Sequence, residues 1–86
     1  MATKVKNIEH LKQILSARDG ETHEFYIQLN FGLRSSKLMS YDGESVFYVL
    51  NEIDDTEQEL SEEQLFDENL TNIGKAIKQG AFYWIS

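Results

Sequence analysis

The sequence predicts an α+β fold. It is expected to run as an N-terminal helix, a three-stranded antiparallel meander, a helical segment and a C-terminal strand, with the helices packed on one sheet face. Three observations predict it. Apolar residues recur at helical spacing near both ends of the chain. The middle alternates apolar and polar residues. An Asp-Gly pair separates two β-prone runs.

The first helix starts at Asn7, whose side chain can accept a bond from an orphan backbone N–H. Ile8, Leu11, Ile14 and Leu15 form its apolar stripe, and Gly20 is placed to end it. Residues 23–31 alternate, with Phe25, Ile27, Leu29 and Phe31 on one face, and Gly32 marks the following turn. Residues 36–41 and 44–51 flank Asp42-Gly43, a pair suited to a two-residue type I′ hairpin. The second arm is apolar from Val46 to Leu50, as in a central strand covered on both faces. Residues 51–60 read either as a turn at Asp54-Asp55 with a short returning edge strand or as an irregular loop.

Ser61-Glu62-Glu63-Gln64 is a capping box, and Leu60 with Leu65 supplies the matching hydrophobic staple. A second helical stretch starts at Asn69 or Thr71, carries Ile73 and Ile77 inward, and stops at Gly80. Residues 81–85 form the closing strand, which joins the meander at its first or third strand.

The totals narrow the class. Eighty-six residues make one domain with a thin core, and ten Phe, Tyr and Trp side chains help to fill it. The chain has no cysteine, so disulfides, thiolate metal sites and cysteine nucleophiles are excluded. The polar start of the chain and the lack of a long apolar run lead to an expected cytoplasmic location without membrane contact.

Charge is uneven. Fifteen acids oppose eight bases, and residues 38–74 hold eleven acids with no Lys or Arg. Such a segment is unsuited to contact nucleic-acid phosphates. Glu62 and Glu63 favour the start of a helix. Asp54, Asp55, Glu57 and Glu59 have no such local reason, and Glu52 stands in the same acidic run. Together these seven residues are the candidate contact surface for a partner with a basic face, against the plainer reading of a solvated surface.

A second candidate is the run Arg34, Ser35, Ser36 and Lys37 after Gly32, read as a loop able to hold a nucleotide or phosphate. The plainer reading there is a strand connection that balances the acidic middle. No cofactor is expected. The dense acids lack the spacing of an EF-hand loop. His10 and His23 belong to no nucleophile or metal spacing, so no catalytic residue is assigned and an enzyme is not expected. Tyr26, Tyr48, Tyr83 and Trp84 suit cross-strand packing better than base stacking, since no RNP pattern accompanies them.

The strings Phe25-Tyr26-Ile27-Gln28-Leu29-Asn30, Ser35-Ser36-Lys37, Asn51-Glu52-Ile53-Asp54-Asp55 and Thr71-Asn72-Ile73-Gly74 give the chain a further character. It resembles small uncharacterised proteins of bacterial phages, plasmids and integrated mobile elements. That resemblance implies a mobile-element origin and raises the expectation of a protein that binds or inhibits a host component. It transfers no catalytic motif. An uncovered aromatic sheet face or an edge strand is also a route to a homodimer.

Overall fold

The computed structural model describes residues 2–17, 21–51 and 55–85. The elements are β1 (Ala2–Lys4), α1 (Ile8–Ser16), β2 (His23–Gln28), β3 (Arg34–Tyr41), β4 (Phe47–Asn51), β5 (Thr56–Leu60), α2 (Glu62–Leu65), α3 (Ile73–Gln79) and β6 (Phe82–Ile85). A single 3₁₀ turn at Asn30–Gly32 joins β2 to β3.

All six strands join one antiparallel sheet in the order β1-β6-β2-β3-β4-β5. This corrects the expected three-stranded meander with helices packed on one face: the sheet is the main body and the three helices are short. The difference lies at the sheet's two edges. β1 is short, polar and exposed, so it carries no apolar alternation to betray it, while β5 is the returning edge strand, one of the two readings of residues 51–60, and runs over Thr56–Leu60. The closing strand β6 lies beside β2, and β1 covers its other side.

The register explains the core. Ile27 faces Phe82, Met39 faces Val49, Tyr41 faces Phe47, and Phe47 faces Leu60 across neighbouring strands. These side chains share a face with Phe25. Leu11, Ile14 and Leu15 of α1, Leu65 of α2 and Ile73, Ala76 and Ile77 of α3 complete the same buried cluster. Phe25, Phe47 and Phe82 are fully buried, and Phe25 stacks on Phe82 with centroids 5.1 Å apart.

The opposite face is held by a ring stack. Tyr26 and Tyr83 are direct cross-strand neighbours with centroids 5.1 Å apart, and the Arg34 guanidinium lies 4.3 Å from the Tyr26 ring centre. Tyr26 is therefore buried although it lies on the face away from the main core.

Local signals for the helix ends are met. The Asn7 side chain accepts from the His10 N–H, and Lys6 N–H donates to His10 Nδ1. Ser61 and Gln64 form both halves of the capping box, and Leu60 and Leu65 are buried. Gly80 ends α3 at φ 71°. The expected stop at Gly20 lies outside the described residues.

Three local expectations are corrected. The strand over 23–31 ends at Gln28, because the chain turns at Asn30–Gly32 and lifts Leu29 and Phe31 off the sheet. The β3–β4 connection is not a two-residue hairpin. Tyr41 pairs with Phe47, and five residues intervene. They are organised by the Asp42 carboxylate, which accepts from the N–H groups of Glu44, Ser45 and Val46 at 2.8, 2.9 and 3.1 Å. Finally, β4 is flanked by two strands but buried on one face alone. Phe47 and Val49 are buried, whereas Tyr48 and Leu50 are half-buried on the other side.

Candidate functional site

The acids of the middle segment are displayed at one edge and one end of the sheet. Glu57 and Glu59 are two residues apart on β5, so they point to the same side of the edge strand, and both are exposed. Leu60 pairs with Phe47 and Phe47 with Tyr41. The start of α2, with exposed Glu62 and Glu63, therefore lies at the Tyr41 end of β3. Glu44, Glu62 and Glu63 line a shared hollow of about 260 Å³ with Lys12 and Tyr41.

One cation reaches into this group. Lys12 Nζ donates to Glu62 Oε2 at 3.2 Å and lies 3.8 Å from Glu9. The hydrogen bond to Glu62 is the main cause that raises the Lys12 pKa above its ordinary value, although burial opposes it. Glu57, Glu59 and Glu63 make no ion pair or hydrogen bond through their side chains among the described residues. Asp55 is exposed, at φ 55° in the turn before β5. Glu52 and Asp54 lie outside the described residues.

The second candidate is rearranged. Arg34, Ser35, Ser36 and Lys37 stand in β3, opposite Gln28, Ile27, Tyr26 and Phe25. They do not form a loop. Their backbone groups serve a ladder, and strand alternation separates their side chains. Arg34 and Ser36 fall on the Tyr26 face, where Arg34 covers the ring. Ser35 and Lys37 fall on the helix-bearing face and line a cleft of about 390 Å³ with Asn30, Asn72, Lys75 and Gln79. The α3 contribution was not legible in the sequence, because Asn72 and Lys75 are thirty-five or more residues from Lys37 and come close only through the fold.

Gln28 fixes the rim of this cleft. Its Nε2 donates to the carbonyls of Leu29 at 3.3 Å and Leu33 at 3.1 Å, which pins the turn.

The histidines have local roles. His10 is part of the α1 start. His23 opens β2 and meets Trp84 edge-on at 6.1 Å and 67°. Its Nε2 is buried without a hydrogen-bond partner among the described residues. Among the described residues no three His, Asp or Glu side chains converge as a metal site. Among them, too, no helix is long and apolar enough to cross a membrane.

Comparison with known proteins gives no match: no family model, no curated protein and no solved structure matches the chain.

Proposed function

We propose that this chain is a non-enzymatic protein-interaction module, carried by a mobile element, that binds or inhibits a host protein with a basic surface. The observation that supports this reading is the acidic display: Glu57 and Glu59 on β5 and Glu63 on α2 are exposed without an ion-pair partner among the described residues, and Glu62, beside Glu63, pairs with Lys12. Like charges held together raise the energy of the free protein, and a cationic partner relieves that repulsion. Such a contact forms quickly and weakens with salt, because exposed charges are screened over a Debye length of about 8 Å at physiological ionic strength.

The test compares wild type with the variant Glu57→Gln, Glu59→Gln, Glu62→Gln, Glu63→Gln as bait in a host lysate. The expected result is a basic protein retained by wild type at low salt, released at high salt, and not retained by the variant. Equal retention by both baits at both salts would sink the proposal.

A further inference from the structure

The geometry points to a binding site for a small phosphate-bearing molecule in the cleft between the β2–β3 hairpin and α3. This site is separate from the acidic surface and does not depend on its role.

Its chemistry is unusual for this chain. The protein carries fifteen acids against eight bases, yet among the described residues no carboxylate lines the cleft, and two lysines do. Lys37 reaches it from β3 and Lys75 from α3. Neither forms an ion pair or hydrogen bond through its ammonium group among the described residues. In so acidic a chain, unpaired lysines brought together from distant segments leave two positive charges that repel each other and attract an anion.

The neighbouring polar groups add donors. The Ser35 hydroxyl and the side-chain amides of Asn30, Asn72 and Gln79 also lack hydrogen-bond partners among the described residues. Two lysines, a serine and three amide side chains thus line one space, with no partner for their donors among the described residues. A phosphate monoester presents three strongly accepting oxygens and nearly two negative charges, so it uses more of these donors than a carboxylate does.

The walls limit the rest of the ligand. Ile27, Leu29 and Ala76 give the cleft an apolar side. Its volume of about 390 Å³ is near the lower end for small-molecule sites, roughly 300–1,000 Å³. That suits a phosphate carried on a sugar or on a single nucleoside. A nucleic-acid strand needs a longer track of cations than two lysines offer.

Backbone amide shifts during titration with inorganic phosphate, AMP and adenosine test the site. The expected result is saturable shifts in residues 28–37 and 72–79 with phosphate and with AMP, and none with adenosine. The double variant Lys37→Gln, Lys75→Gln should weaken AMP binding by about tenfold or more. Its thermal melting should stay within a few degrees of wild type, because neither ammonium group has a partner among the described residues. No saturable shifts at about 10 mM phosphate or AMP, or unchanged AMP binding in the double variant, would overturn the inference. A single-stranded oligothymidylate bound at these residues more than about tenfold tighter than AMP would overturn it as well, and would reassign the cleft to nucleic acid.

Discussion

Phe31 sits where a side chain of its kind is least at home. It is 99% exposed, and its backbone lies at φ 63°, ψ 28°. The left-handed region costs an L-residue with a Cβ roughly 1–2 kcal/mol, and here no burial of the ring offsets that cost. Gly32 follows at φ 75°, so the two residues share the positive-φ pairing that tight hairpin turns require. The alternation through 23–31 misleads at this point, because turn geometry overrides period two. Asn tolerates the left-handed region better than Phe. Phe31→Asn should therefore raise stability by about 0.5–1 kcal/mol, read from urea unfolding; a loss of stability would show that the exposed ring makes a contact the backbone argument ignores. Asp42 acts in the opposite sense, since its charge organises a turn. The N–H groups of Glu44 and Val46 are the main cause that holds its carboxyl below the ordinary carboxylate value, helped by Ser45. A folded-state pKa below the unfolded one gives stabilisation that is complete above the unfolded value and is lost as pH falls through the folded one. Thermal melting between about pH 5 and about pH 2 should show wild type losing more stability than Asp42→Asn over that acid range, with Asp42→Ala less stable than wild type at neutral pH. Parallel pH profiles for wild type and Asp42→Asn would refute the role given to the carboxylate.

At the scale of elements, legibility follows how much chemistry each one states locally. α2 announces itself, because a capping box and a staple are both written in consecutive residues. α3 is legible through Ile73, Ile77 and Gly80, but its packing is not. Gly74 is buried, and a Cβ there would come within 2.6 Å of the Leu65 carbonyl oxygen and the Phe66 Cα and Cδ1. The first turn of α3 is thus pressed against the end of α2 through a position with no side chain. That closeness depends on where α2 ends, which no spacing in the sequence records. By helix propensity alone Gly74→Ala should stabilise α3 by about 1 kcal/mol. Steric overlap with backbone atoms outweighs that gain, since overpacking costs typically 1–3 kcal/mol and backbone cannot rotate aside. We expect Gly74→Ala to lower the urea midpoint, and an unchanged or raised midpoint would mean that the two helices separate easily. The same reasoning explains the anion cleft. Ser35 and Lys37 are legible as polar residues, but their partners Asn72 and Lys75 are supplied by a helix whose docking sequence spacing does not state.

For the whole molecule, the sheet order governs both charge and solubility. The edge at β5 carries Glu57 and Glu59, while the opposite edge, β1, carries Lys4. Charged side chains on edge strands hinder pairing with other chains, so the acids of β5 guard an open edge whatever partner they also meet. β1 has a second task. It pairs with β6 through Ala2–Ile85, Thr3–Trp84 and Lys4–Tyr83, and Val5 N–H donates to the Phe82 carbonyl at 2.9 Å. Without β1, the strand Phe82–Ile85 would itself become the edge. It is short, aromatic and uncharged, the composition most prone to pair with a second copy. Removing residues 1–4 leaves buried Val5 in place but deletes the ladder outside β6. At about 1 kcal/mol net per hydrogen bond, less the entropy regained by the freed residues, the loss should be on the order of 1–3 kcal/mol. For a domain of this size that is a fall of roughly 5–20 °C in melting temperature. Sedimentation velocity should in addition show concentration-dependent association of the shortened chain under conditions where the full chain does not associate. A shortened chain that melts lower but sediments as the full chain does would mean that β6 is guarded by its own twist or side chains, and that β1 contributes stability without protecting the edge.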